Sequence, residues 1–243
     1  GLRMCSEIPK DRIHTLYLSE SFSKTKEGKA LREGVKHIEL VTDEVFKNLS
    51  DTQTPQGILA LVKQYHYTLE EVAGGSRKSA QAEDLQEKPA LLMVLETIQD
   101  PGNLGTILRA GEGAGVTGIV MDANTADIYN PKVIRSTMGS VLRMPFVYVE
   151  NLHETLEELK KKKIRLFAAH LQGKHAYDQE DYTGPTAFLI GNEGNGLTEE
   201  TAAMADTYIR IPMEGRVESL NAAVAASVLM FEAARQRRNH TGK

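Results

Sequence analysis

Cysteine is nearly absent. Cys5 is the single one in 243 residues, so no intrachain disulfide can form and a reduced, cytosolic setting is expected. No Cys/His cluster has zinc spacing, so no metal site is expected. No run of about 18 uninterrupted apolar residues occurs, and no membrane span is expected. Residues 220–234 come closest, but Asn221 and Glu232 interrupt them. No signal peptide is expected. The chain opens on Gly1 rather than methionine, which leaves its native N-terminus open. Charge of one sign is also scarce. The net charge of −4 at pH 7 does not advertise a nucleic-acid binder, and any such site must be a local basic patch. Candidate patches are Lys10 with Arg12, Arg135 with Arg143, and Arg235 with Arg237 and Arg238. The run 160–163 reads instead as a solvated helix end, where cations are favourable. No internal repeat is present. The rest is an ordinary composition, 41% hydrophobic and 26% charged, in a chain long enough for one large domain or a small and a medium one.

The pattern divides the chain. GGSRKSAQAEDLQEKP (residues 74–89) has linker composition, with Leu85 its one large apolar residue. Before it, residues 1–73 form a small α/β unit. Strands are expected at 14–20, 37–42 and 57–65, and helices at 29–36 and 43–48. After it, residues 90–243 alternate strand and helix. LLMVLE (91–96), GIVMD (118–122), FVYVE (146–150), IRLFAAH (164–170), AFLIG (187–191) and TYIRI (207–211) are short, β-rich and apolar. Such near-continuous runs suit strands covered on both faces. Helices are expected at 104–114, 131–138, 152–163, 199–205 and 220–238. Alternating βα units imply an α/β fold with a mainly parallel sheet.

Three segments are polar where such strands end, the edge at which α/β proteins bind ligands. The first is QDPGNLGTILRAGEGAG (99–115). Pro101-Gly102 makes a turn and Asn103 suits a helix cap. Leu104, Ile107, Leu108 and Gly111 share a core-facing stripe, and Arg109 lies about 140° around from Leu104. Read alone, this is either a capped helix with a surface arginine or an arginine held near a phosphate or ribose hydroxyl. The second, FLIGNEGNGL (188–197), puts three glycines and Glu193 into a turn, where backbone can approach a ligand closely. In the third, RIPMEGRVESLNAAVAASVLMFEAA (210–234), a strand gives way to a loop. Ser219 is then placed to cap a long helix rich in small residues. A decoy lies nearby. Gly113, Gly115 and Gly118 fit G-x-G-x-x-G, but after a helix and before a strand. That is the reverse of a dinucleotide fingerprint, and a helix C-cap is expected there.

Together these segments resemble the three signature motifs of the SpoU-type (TrmH-like) branch of the SPOUT methyltransferases. The first has N-x-G-x-x-x-R (Asn103, Gly105, Arg109), the second G-x-E-x-x-G (Gly191, Glu193, Gly196), and the third S-L-N (Ser219, Leu220, Asn221). RSTMGSVLRMPF (135–146) adds Ser136, Gly139, Ser140 and Pro145 in familiar places. The resemblance covers about residues 90–238. One departure is Ala223, where the family often has serine. The N-terminal part is similar to the family's ribosomal-protein-like substrate-binding domain, including PQGILALV (55–62).

The resemblance implies a C-terminal trefoil knot, an exception to the rule that chains are unknotted. It implies an enzyme that moves a methyl group from S-adenosylmethionine to a ribose 2′-hydroxyl of RNA. Ribosomal RNA is favoured over transfer RNA as the partner, and the protein is expected to act as a homodimer with no membrane. Cofactor contacts are implied at Leu171, Gly191, Ile211, Pro212, Met213 and Leu220. Arg109 is implied to activate the hydroxyl, with Asn103, Glu193, Ser219 and Asn221 orienting it and the ribose. A free arginine is a poor base, with a pKa above about 12. It therefore works in an unusual environment or through an RNA phosphate. Two readings of other classes stay open: a non-catalytic knotted RNA-binding protein, and a nucleotide-dependent oxidoreductase. Binding of S-adenosylmethionine tests the first, and binding of NAD tests the second.

Overall fold

A computed structural model of the chain describes residues 1–74 and 88–241. Of the expected linker, residues 75–87 lie outside the described part. The chain divides into two compact units, Gly1–Tyr65 and His66–Lys243.

The first unit runs α1 (Leu2–Glu7), β1 (Ile13–Ser19), α2 (Glu20–Ser23), α3 (Lys26–Arg32), β2 (Ile38–Val41), α4 (Asp43–Leu49) and β3 (Ile58–Val62). Its sheet has the order β2-β1-β3, with β2 parallel and β3 antiparallel to β1. Ser19, Thr25 and Thr42 cap α2, α3 and α4 by accepting backbone N–H groups, which satisfies donors that a helix start leaves free. The expected strands are all present. The helix expected at 29–36 begins earlier, because Thr25 is the residue whose hydroxyl reaches the Gly28 N–H.

The second unit runs α5 (Leu69–Ala73), β4 (Leu91–Leu95), α6 (Pro101–Ala114), β5 (Gly118–Asp122), α7 (Pro131–Thr137) and β6 (Phe146–Val149). It continues with α8 (Leu152–Lys161), β7 (Arg165–Ala169), β8 (His175–Ala176), β9 (Thr186–Ile190), α9 (Glu199–Ala203), β10 (Thr207–Arg210) and α10 (Ala222–Thr241). The sheet order is β6-β5-β4-β9-β7-β10-β8, and its strand pairs are parallel. Every residue of β4, β5 and β9 is buried, the reason these segments read as unbroken apolar runs. Leu92, Val94, Val120, Leu166 and Leu189 share one core with Val72 of α5, Leu156 of α8 and Ala202 of α9. Alternation along a strand turns Leu91, Met93 and Leu95 to the opposite face. α6 and α10 pack on each other, and α10 also lies against β9.

Strands β4, β5 and β6 step outward one way. The chain then crosses to β7 on the far side, and β9 enters between β4 and β7. Order therefore reverses beside β4, where an open parallel sheet leaves a crevice at its C-terminal edge. Helix α6 ends at Gly115, in the left-handed conformation, and Val116 N–H returns to Gly111 O at 2.8 Å. The glycine pattern closes a helix, as expected. Basic residues fill the last turn of α8 and Lys161 to Lys163 are exposed.

Two helix starts differ from expectation. Asp100, not Asn103, caps α6, accepting Gly102 and Asn103 N–H at 2.6 and 2.9 Å. These bonds, that from Asn103 first, hold its carboxyl below the usual carboxylate range. Asn221, not Ser219, fills that role for α10, accepting the N–H groups of Ala223 and Val224 at 2.9 and 3.3 Å. Helix α5 carries a capping box, Thr68 with Glu71, a T-x-x-E signal that was there to be read.

Candidate functional site

The C-terminal ends of β7, β9 and β10 open into a cleft of about 870 Å³. Its walls come from Ala169 to Gln172, Ile190 to Leu197, Ile209 to Leu220 without Glu214, and Ala222 with Ala225 at the start of α10. Leu171, Gly191, Ile211, Pro212, Met213 and Leu220 all line it, as do Glu193 and Ser219. The local sequence dictates this wall. A Cβ on Gly191 would stand 2.0 Å from the backbone carbon of Gly196 and 2.1 Å from Leu197 N. Only glycine lets the turn fold back so tightly after β9. Asn192 then closes the turn. Its N–H donates to Gly196 O at 3.0 Å, and its side-chain oxygen accepts Gly194 and Asn195 N–H at 2.9 and 3.2 Å.

The three polar motifs meet at this edge. Asn221 Nδ2 donates to Asn103 Oδ1 at 2.9 Å, and Asn103 Nδ2 donates to Glu193 Oε1 at 3.0 Å. Glu193 also accepts the backbone N–H groups of Gln99 and Asp100, at 3.2 and 3.0 Å. Burial pushes the Glu193 carboxyl up. The Asn103 amide and the Asp100 and Gln99 N–H groups outweigh it and leave the pKa below the usual value. The carboxylate is therefore an anchored anion. Each link joins residues at least 90 positions apart.

Arg109 stands apart. It is exposed on α6, and among the described residues no hydrogen bond or ion pair holds it. Asn103 does not orient it directly. The apolar stripe beside it is as expected: Leu104, Ile107, Leu108 and Gly111 are buried. Gly105 allows α7 to approach, since a Cβ there would meet Ser136 Oγ at 1.8 Å and Val133 O at 3.0 Å. Ser219 is exposed and makes no side-chain hydrogen bond among the described residues. Ala223 is 2% exposed, so this position presents a buried methyl.

Several cations of the candidate basic patches have internal partners. Arg143 pairs with Glu112, and Arg235 with Glu232. Lys10 donates to Leu31 O, while Arg12 donates to Lys63 and Gln64 O and lies over the Tyr65 ring. Arg237 donates to the carbonyls of Tyr182, Pro89, Ala90 and Gly184 at 2.7 to 2.9 Å. Burial pulls its pKa down to about 10. It pins α10 across the entries to β4 and β9 and does not serve a surface patch.

Sequence reasoning passed over two residues that shape the cleft. Asn192 is one; an Asn inside a glycine turn is a known signal. Glu96, 8% exposed at the end of β4, is the other. It accepts Thr198 N–H and Oγ1 at 2.8 Å each and Thr201 Oγ1 at 2.5 Å, fixing the exit of the turn into α9. A carboxylate closing an apolar strand was its visible signal.

Residues 90–231 match the SpoU rRNA Methylase family, and residues 1–68 match the family described as RNA 2'-O ribose methyltransferase substrate binding. Among curated proteins, the chain is 31% identical over 192 residues to the 23S rRNA (guanosine(2553)-2'-O)-methyltransferase RlmP of Bacillus subtilis, covering 79% of this chain and 70% of that one. It is 39% identical over 148 residues to the 23S rRNA (guanosine-2'-O-)-methyltransferase RlmB of Xylella fastidiosa, covering 61% and 59%. Among solved structures, it is similar to the SpoU methyltransferase AviRb of Streptomyces viridochromogenes in complex with AdoMet. That match has a TM-score of 0.83 at 27% identity and covers 98% of this chain and 89% of that one.

Proposed function

The chain belongs to the SpoU rRNA methylase family, and on that premise we propose that it moves a methyl group from S-adenosylmethionine to a ribose 2′-hydroxyl of ribosomal RNA. The observation that carries this reading is the chain Asn221–Asn103–Glu193. It ties three motifs, distant in sequence, to the rim of one cleft. The cleft's volume, about 870 Å³, lies in the range of small-molecule sites. Its tightest wall, at Gly191, is bare backbone, which suits a ligand held by main-chain groups. Leu171, Gly191, Ile211, Pro212, Met213 and Leu220 would hold the cofactor. When bound, S-adenosylmethionine supplies a methyl already activated on a sulfonium.

The chain itself must then supply position and a path for the 2′-hydroxyl proton. Glu193, fixed by the Gln99 and Asp100 N–H groups and, at 3.5 Å, by Asn192 Nδ2, keeps Asn103 in place, and Asn103 in turn holds Asn221. Arg109 assists loss of the proton. A guanidinium is a donor and not a base at neutral pH, so Arg109 acts by drawing an RNA phosphate and the ribose into place. That explains why no group among the described residues holds it. The first unit, residues 1–65, selects the RNA and the second carries the chemistry. Two copies associate through α10, where Val224 and Phe231 are 48% exposed. The C-terminal strands thread a trefoil knot, and the protein works in the cytoplasm.

Incubation with methyl-labelled S-adenosylmethionine and RNA lacking the modification tests the reading. Label is expected in ribosomal RNA as an alkali-resistant 2′-O-methyl. Label in transfer RNA alone would move the substrate. No binding of S-adenosylmethionine at millimolar concentration would end the enzyme reading.

A further inference from the structure

Thr97 follows β4 with φ 57°, in the left-handed region that a β-branched residue disfavours strongly. The other described non-glycine residues with positive φ are Met138 and Lys163, neither of them β-branched. Something must impose the conformation on Thr97. The Asp122 carboxylate, 8% exposed at the end of neighbouring β5, does so from both sides. It accepts Thr97 N–H at 2.9 Å on one oxygen and Thr97 Oγ1 at 2.8 Å on the other. Asp122 is itself held by Thr125, whose N–H and hydroxyl donate to it at 2.9 and 2.7 Å. The Thr125 hydroxyl accepts Ile98 N–H at 3.2 Å.

Two features of the cleft depend on the turn so fixed. Thr97 O accepts Asn192 Nδ2 at 2.9 Å, and Asn192 organises the Gly191–Gly196 turn through its side-chain oxygen, which accepts Gly194 and Asn195 N–H. The residues just after the turn, Gln99 and Asp100, aim their N–H groups at Glu193. Asp122 does not line the cleft. We propose that Asp122 is a positioning residue: by holding Thr97 left-handed it aims one carbonyl at Asn192 and two amides at Glu193, and so sets the glycine turn for the cofactor. The consequence for the cofactor rests on the function proposed above; the consequence for the turn does not.

The experiment uses the full chain and four proteins: wild type, Asp122→Ala, Thr97→Gly and the double variant. Amide-proton exchange at Gly194 and Gly196 is read by NMR without ligand, and affinity for S-adenosylmethionine by calorimetry. Asp122→Ala is expected to speed exchange at both glycines at least about tenfold and weaken affinity by a similar factor. Glycine adopts positive φ freely, so Thr97→Gly should stay within about threefold of wild type, and the double variant within about threefold of Thr97→Gly. Asp122→Ala with unchanged exchange overturns the proposal. So does a double variant as impaired as Asp122→Ala, because Asp122 would then act other than through Thr97. Should Asp122→Ala not fold, Asp122→Asn takes its place in both comparisons with the same decisive outcomes. A wild-type protein that does not bind S-adenosylmethionine would refute the proposed function, while the exchange data still decide the role of Asp122.

Discussion

The link between Asn103 and Glu193 can be reversed in sign by one nearly isosteric change, Asn103→Asp. The variant still accepts from Asn221 Nδ2, but it sets a carboxylate oxygen where the amide donated to Glu193 at 3.0 Å. Two unit charges at that separation repel by roughly 1.4 kcal/mol even at the dielectric of water. A lost hydrogen bond to a charged group adds about 1.5 kcal/mol, less at this exposed rim. The new charge sits in the first turn of α6, where the helix dipole returns about 0.5 kcal/mol. The net loss is about 2 kcal/mol at neutral pH and low salt. The pH dependence has a definite sign. Repulsion raises the folded-state pKa of the carboxyl pair in the variant, so the penalty is full above that raised value and fades as pH falls through it. In the wild type, Glu193 has a lowered pKa. Its stabilisation is present above the ordinary carboxylate pKa and is lost as pH falls through the folded value. Both trends narrow the gap in acid. Urea unfolding at pH 7 and near pH 4 measures it, and added salt should shrink it too. Cofactor affinity should stay within about threefold, because Asn103 does not line the cleft, while methyl transfer drops about tenfold or more. A gap below about 0.5 kcal/mol at pH 7, or one that does not close in acid, would refute the electrostatic reasoning.

Arg109→Ala should change stability by less than about 1 kcal/mol, since the side chain is exposed and alanine favours helix. Single-turnover methylation should fall about 100-fold with cofactor binding intact, and Arg109→Lys should not rescue it; a rate within about threefold of wild type would make Arg109 a surface residue. Arg237→Lys places its donors at one point, which cannot span four carbonyls, and urea melts should register a loss of about 2–3 kcal/mol. A fragment beginning at Pro89 loses Val72, which is fully buried against the sheet. It should be at least about 2 kcal/mol less stable than one beginning at His66, and equal melting temperatures would show that α5 is dispensable.

Local sequence carried much of this protein. The runs at β4, β5 and β9 read as strands because both faces are covered, so nothing polar interrupts them. Residues 104–111 showed their buried stripe, and Gly113 to Gly118 showed a helix end, because helix periodicity and positive φ are short-range constraints. The polar segments at 188–197 and 210–220 were legible as well, because a strand that ends in glycines and polar residues marks an open edge; the individual cofactor contacts came from the family resemblance.

Tertiary structure decided the rest. Asp100 and Asn103 are both good caps. Which of them caps α6 follows from distant partners: Asn221 takes the Asn103 side-chain oxygen and Glu193, 90 positions beyond, its amide nitrogen. The strand order, with β9 between β4 and β7, leaves no periodic trace, because each of these strands has a buried apolar centre that could pair with any of the others. Arg237 looked like part of a basic patch until the fold placed four carbonyls around it. Thr97 has nothing in its own sequence to favour a left-handed backbone; a carboxylate on the adjacent strand imposes it. Periodicity and caps are energies of neighbouring residues, and the chain states them locally. The partners of buried polar groups depend on which distant segments meet, and only the folded chain brings them together.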